Sequence, residues 1–156
     1  MTAAPSCRCG RDESGQIGGL ESIVFGVLLF VFGTLAIASA WAVVDAKIAT
    51  ASAAREAGRS YVESNGTDAD WASAHAAAEA AFVGSGRSGA ALTLPRPSGP
   101  FVRCATLTVT ASTRATLPRI PVIRAALRRL VVTSSHTEIV DPYRSGLGRS
   151  GVPCVP

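Results

Sequence analysis

The residues that could carry chemistry are few and scattered. Glu21 is the one acid at the mouth of a long uncharged run, inside "SGQIGGLESIVFG" (14–26). Four cysteines fall into two pairs, Cys7 with Cys9 and Cys104 with Cys154. "CRC" is a poor zinc site, because zinc wants four ligands and no further Cys or His stands near it. The two histidines and the serines lie along the chain without a paired acid, so no nucleophile, base and orienting acid assemble on paper. Phosphate-loop and G-x-S-x-G patterns are absent from the sequence. No catalytic residue, metal site or cofactor is expected, and no small-molecule substrate. What remains is a carboxylate beside an apolar segment and a pair of distant thiols.

The element that positions Glu21 is that apolar segment. Residues 22–44 contain no charged side chain. A helix from Ile23 to Val44 would span about 33 Å, enough to cross a hydrocarbon core of about 30 Å. Backbone groups in lipid must bond within their own segment, so helix is the expected state. Trp41 falls where aromatic anchors sit, and Asp45 and Lys47 close the run. Flanking cations are nearly balanced. A short N-terminal tail and a long C-terminal part favour a cytoplasmic N-terminus and an extracytoplasmic C-terminal region. The alternative is a secreted or anchored binding domain, released by a signal peptidase cutting after Ala40 at "ASA".

Gly19, Gly26, Gly33 and Ala40 recur every seventh residue, and Ala36 with Ala40 forms a small-xxx-small pair. On a helix this is a slowly drifting stripe where a neighbouring helix can approach closely in lipid. The plainer account is that Gly and Ala are common throughout this chain.

Beyond the span, "DAKIATASAAREAGRSYVES" (45–64) reads as an extension of the helix with mixed faces. "SNGTD" breaks it, with Thr67 or Asp68 as the next cap. Residues 69–84 read as a second helix with Trp71, Ala74, Ala78 and Phe82 on one face and His75 as an ordinary side chain. A Gly/Ser/Pro-rich connection (84–100) allows at most a short strand at 90–94. "FVRCATLTVTAS" (101–112) alternates, with Leu107 and Val109 on one face and Thr106 and Thr108 on the other; "LVVTSSHTEIV" (130–140) is a second strand. The fold class expected is α+β: a long N-terminal transmembrane helix continuing into an extracytoplasmic helix, a second helix, then a small antiparallel sheet. The divisions are a disordered cytoplasmic tail (1–18), the transmembrane helix (19–44), extracytoplasmic helices (45–83) and a small Arg-rich β-containing region (84–156).

Net charge is +4, and residues 87–156 hold ten arginines against Glu138 and Asp141. Such a balance fits nucleic acid, an anionic membrane surface, an acidic partner or a merely solvated face. Residues 102–142 contain no aromatic to stack on bases, so nucleic acid is not an expected partner. "LPRIPVIRAALRRL" (117–130) is either a basic amphipathic turn lying on anionic lipid or a connection whose apolar side covers the sheet. If the C-terminal part faces an oxidising compartment, Cys104 and Cys154 are candidates for a disulfide that ties down the tail.

The tail, "SGQIGGLES", the apolar helix and "SAAREAGRSYVE" (52–63) together resemble TadE-like proteins, the minor pseudopilins of tight-adherence (Tad, Flp-type) pilus systems. The resemblance covers about residues 10–64. It implies a single-pass protein whose partners are the lipid bilayer and other pilin-like or Tad-type subunits, acting by helix packing and protein–protein interaction. It also implies a role for Glu21. Pilin-like chains are cut after a Gly by prepilin peptidase, and the nearby glutamate pairs with a neighbour's free amine. The candidate processing residues are Gly15, Gly18 and Gly19. A cut after Gly15 leaves Glu21 at the sixth position rather than the family's fifth, and cuts after Gly18 or Gly19 leave it third or second. Assembly through Glu21 and simple capping of the helix start both stay open.

Overall fold

The computed structural model describes residues 15–115, 130–148 and 154, with side chains from Glu21 onward. Elements run α1 (Gly15–Val62), α2 (Asp68–Gly84), a single 3-10 turn (Gly89–Ala91), β1 (Leu92–Thr93), β2 (Thr106–Arg114) and β3 (Val131–Ile139). Two helices and a small antiparallel sheet give an α+β architecture. The chain separates into two units, Met1–Ala38 and Ser39–Pro156. The divide falls inside the apolar run, and beyond it Ala46 and Ala49 are buried.

In the first unit, α1 begins at Gly15, four positions before the expected start at residue 19. Every residue from Glu21 to Thr34 is exposed. Phe25, Phe30, Phe32 and Ile37 are each more than three-fifths exposed, and with exposed Val24, Val27, Leu28 and Leu29 the apolar side chains surround the axis. A helix that is apolar all round is stable only with apolar surroundings on every side. This helix is long and apolar enough to cross a membrane. The Thr34 hydroxyl inside the run is satisfied locally: its Oγ1 lies 2.9 and 3.0 Å from the carbonyls of Phe30 and Val31.

In the second unit, the later turns of α1 pack by their small residues. Ala46, Ala49, Thr50, Ala53, Ala54, Ala57 and Tyr61 are buried, following the 3.6-residue repeat. The expectation of mixed faces over 45–64 is corrected here. Ile48, Arg55 and Arg59 do face out, but the inner face is a continuous strip of alanines. A strip of this kind lets the backbone approach both α2 and the sheet. Gly58 marks the closest approach: a Cβ there would lie 3.2 Å from Glu138 Cγ and 3.9 Å from Val109 Cγ2.

Helix α2 starts because Thr67 and Asp70 form a capping box. The Thr67 hydroxyl accepts from Asp70 N, and Asp70 Oδ2 accepts from Thr67 N at 3.0 Å. Its buried face is Ala74, Ala78 and Phe82, with Trp71 packed alongside. Phe82 is fully buried against Ala78, Leu92 and Val109 in one core cluster. A second cluster joins Tyr61, Ala74, Leu107 and Val140. There Tyr61 meets Trp71 and Phe101 edge-on, with centroids 5.2 and 5.1 Å apart.

The sheet order is β1-β2-β3, all antiparallel. Thr106 opposes Ile139 and Arg114 opposes Val131. Leu107, Val109, Ala111 and Thr113 point inward. Strand β2 starts at Thr106 and not at 101, because Cys104 takes a left-handed φ of 64° that no strand tolerates. The expected helices over 45–64 and 69–84 agree closely with what is observed. The tail up to residue 14, the stretch 116–129 that includes most of the proposed basic turn, and the bulk of the C-terminal tail lie outside the described residues.

Candidate functional site

The candidate assembly surface is the exposed part of α1. Glu21 lines a shallow apolar groove with Val24, Phe25 and Leu28, the neighbours at helical spacing on its own face. Its carboxylate thus borders hydrocarbon-like surface. Gly26 and Gly33 are open, with nothing within 4 Å of the place a Cβ would occupy. Ala36 and Ala40 are exposed as well. Gly15, Gly18 and Gly19 all fall within the first turns of α1.

The helix does not bring all of these residues together. At about 100° per residue, Gly26 lies about 140° around the axis from Glu21, and Ala40 about 100°. The carboxylate and the small-residue stripe therefore occupy different faces. One neighbouring helix cannot cover both.

"SAAREAGRSYVE" resolves into two sides. Ala53, Ala54, Ala57, Gly58 and Tyr61 are buried, so one side of this stretch is core. On the other side, Arg59 bridges Glu56 at 2.7 Å and Glu63 at 3.1 Å. The Glu56 carboxyl is held below the usual carboxylate range by its hydrogen bond from Arg59.

Among the described residues, the arginines of the C-terminal half are largely structural. Of the five described, four donate to main-chain carbonyls. Arg87 reaches Ala42 O at 3.3 Å, Arg96 reaches Gly66 O at 2.9 Å, Arg103 reaches Leu147 O at 2.7 Å and Arg144 reaches Val62 O at 3.2 Å. A guanidinium with five donors suits this use, because one side chain can satisfy several loop carbonyls at once. Arg96 also bonds Tyr61 Oη at 2.9 Å and pairs with Asp68. Arg114 is the exception, with no hydrogen bond or ion pair among the described residues. Sequence reasoning missed these roles, since each arginine acts on a carbonyl distant in the chain and no local pattern marks the contact.

Cys104 and Cys154 are brought together as a disulfide, with Cα atoms 5.2 Å apart across a separation of 50 residues. The left-handed turn at Cys104 carries its own ladder bond, Cys104 N to Val140 O at 3.0 Å.

The histidines are not acid-free, contrary to the expectation from sequence. His75 Nδ1 lies 3.7 Å from Glu79 Oε1, one turn along α2. His136 Nε2 lies 2.7 Å from Glu138 Oε1, because alternate residues of a strand share a face. Both of these β3 side chains pack beside Gly58 of α1. Among the described residues no group of three or more His, Cys, Asp or Glu is placed to hold a metal ion.

No family model, no curated protein and no solved structure matches this chain.

Proposed function

We propose that this chain is a single-pass membrane protein of the TadE-like kind, which helps assemble or anchor a Tad/Flp-type pilus or secretion apparatus by helix packing. The observation that carries the reading is the change along one uninterrupted helix. Residues 21–34 of α1 are exposed and apolar all round, while residues 46–61 bury an alanine strip in a small α+β core. Lipid satisfies the first half and protein satisfies the second. The N-terminus is then cytoplasmic, and the domain carrying the Cys104–Cys154 bond is extracytoplasmic, where such bonds persist.

In this reading Glu21 is an assembly residue. A carboxylate beside lipid is costly unless paired, and the free amine of a processed neighbour is a fitting partner. Because Glu21 and the glycine stripe lie on different faces, each chain would contact at least two neighbouring helices, one through each face. That is what growth of a bundle requires and a simple pair does not.

The test is the intact mass and N-terminal sequence of protein purified from its native membrane. A mature start within residues 16–20 supports pilin-type processing. A start at Trp41 in a soluble fraction overturns the membrane reading in favour of a secreted domain. The unbroken course of α1 through Ala38–Trp41 weighs against that outcome.

A further inference from the structure

We propose that the cleft between Arg87, Ser88 and Arg114 binds the phosphate of an anionic phospholipid at the end of the uncharged run of α1. The inference rests on the membrane-spanning reading of that helix. All the residues concerned belong to the second unit.

The cleft consists of two adjoining cavities of about 310 and 460 Å³ that share Ala91 and Arg114 in their walls. Its first cation is Arg87, whose side chain is only 13% exposed. One nitrogen, Nη2, donates to Ala42 O at 3.3 Å and to Asp45 Oδ2 at 2.8 Å. The Nε of Arg87 is closed off by protein and has no hydrogen-bond partner among the described residues, so Arg87 meets the cleft through the rest of its side chain. The second cation, Arg114, ends β2, is exposed, and makes no hydrogen bond or ion pair among the described residues. Asp45 also lines the cleft, but Arg87 already neutralises it. Two guanidinium groups against one carboxylate leave a net positive cleft.

Position selects the source of the anion. Arg87 is bonded to Ala42, which lies within the last turn of the uncharged run, and Asp45 is the first charge after it. Headgroups occupy about 5–8 Å on each side of the hydrocarbon. The cleft therefore sits at the depth of lipid phosphates. Trp41 and Val44, exposed beside it, offer apolar surface to the acyl chains. A planar guanidinium matches phosphate geometry better than a point charge does. A free phosphate shares that chemistry but would gain nothing from the apolar neighbours.

The experiment uses the full chain in a mild detergent, titrated with short-chain phosphatidylglycerol or phosphatidylcholine and read by native mass spectrometry. Phosphatidylglycerol should be retained in preference. Arg114→Gln should weaken its retention about fivefold, the effect of one cation at an anionic surface, and Arg114→Lys should recover most of it. Equal retention of the two lipids, or an Arg114→Gln protein indistinguishable from the parent at unchanged melting temperature, overturns the proposal. Displacement of the lipid by millimolar inorganic phosphate overturns the lipid source. Release of the parent protein from membranes by alkaline carbonate is a separate outcome: it sinks the membrane reading itself, and the lipid source with it.

Discussion

Thr50 of α1 and Ser134 of β3 share a hydroxyl–hydroxyl bond 2.9 Å long in the interior of the second unit. Thr50 is fully buried and Ser134 nearly so. Carbonyl acceptors lie close to both hydroxyls, Ala46 O at 2.9 Å from Thr50 and Lys47 O at 3.3 Å from Ser134, so whichever hydroxyl donates across the pair, the other can donate to its own carbonyl. Lys47 in turn donates to the Thr133 carbonyl. The helix is thus pinned to the edge strand by polar contacts, where the alanine strip alone has little shape to fix its position along the strand. Thr50→Val and Ser134→Ala should each cost about 1 kcal/mol. The double variant should cost measurably less than their sum, because the second substitution removes a partner already lost. Strict additivity in thermal or urea unfolding would contradict this.

Phe82 is the largest fully buried side chain. Phe82→Ala should destabilise the second unit by about 3–5 kcal/mol through lost burial and a residual cavity. Val83, its exposed neighbour, serves as the control: Val83→Ala should shift the unfolding midpoint little.

Gly66 sits at φ +79°, and a Cβ there would overlap the Phe101 ring. Both the turn and the aromatic cluster around Tyr61 depend on its having no side chain. Gly66→Ala should cost about 1–3 kcal/mol from overpacking, with the left-handed φ adding to it. At Gly58 the same change meets mainly the flexible Glu138 side chain, so its cost should be smaller. A reversed order would show that the turn is not held as described.

The Asp70 carboxyl is kept below the ordinary Asp range, first by the Thr67 hydroxyl, then by the backbone N–H groups of Thr67 and Asn65. A lowered folded value means stability that is present above the unfolded pKa of about 3.9 and lost as pH falls through the folded one. Acidification below about pH 4 should therefore loosen the start of α2. Asp70→Asn should flatten the acid limb of the stability profile while leaving the neutral region less altered. Thermal unfolding of both proteins across this range is the check.

Among the described residues, nothing beyond their own helix lies within 4 Å of the place a Cβ would occupy on Gly26 or Gly33. Replacing both by Leu should leave the melting temperature of the second unit unchanged. If the stripe packs against a second helix in lipid, the same change should abolish crosslinking to neighbouring subunits in the native membrane. Glu21→Gln probes the other face and should weaken assembly separately. Crosslinking yields unaffected by either change would remove the two-faced assembly reading.

The Cys104–Cys154 bond closes a separation of 50 residues. On the chain-entropy account, a loop of that length adds about 4 kcal/mol. Cys104→Ser, or reduction, should lower the unfolding midpoint accordingly. An unchanged midpoint with free thiols detected in the native protein would refute the pairing.

Much of this protein was legible from sequence because the signals are local. An uncharged run of membrane length, the break at "SNGTD", the Trp71–Ala74–Ala78–Phe82 spacing and the alternation around Val109 each depend only on residues close in the chain. Thr67 or Asp68 as a cap announces a helix start for the same reason. The inner face of residues 45–61 was not legible, because alanine stands on every face and a hydrophobic contrast is what periodicity measures. Only packing against Phe82 and Val109 decided which alanines are core. The arginine clamps, the pinning of Thr50 to Ser134 and the cleft at Arg87 and Arg114 were likewise decided by the fold. Each joins groups brought close by tertiary contact or by the pitch of an element, and composition carries no record of that distance. The separation of Glu21 from the glycine stripe stands between the two: the residues are in the sequence, but the angle between their faces comes from the helix.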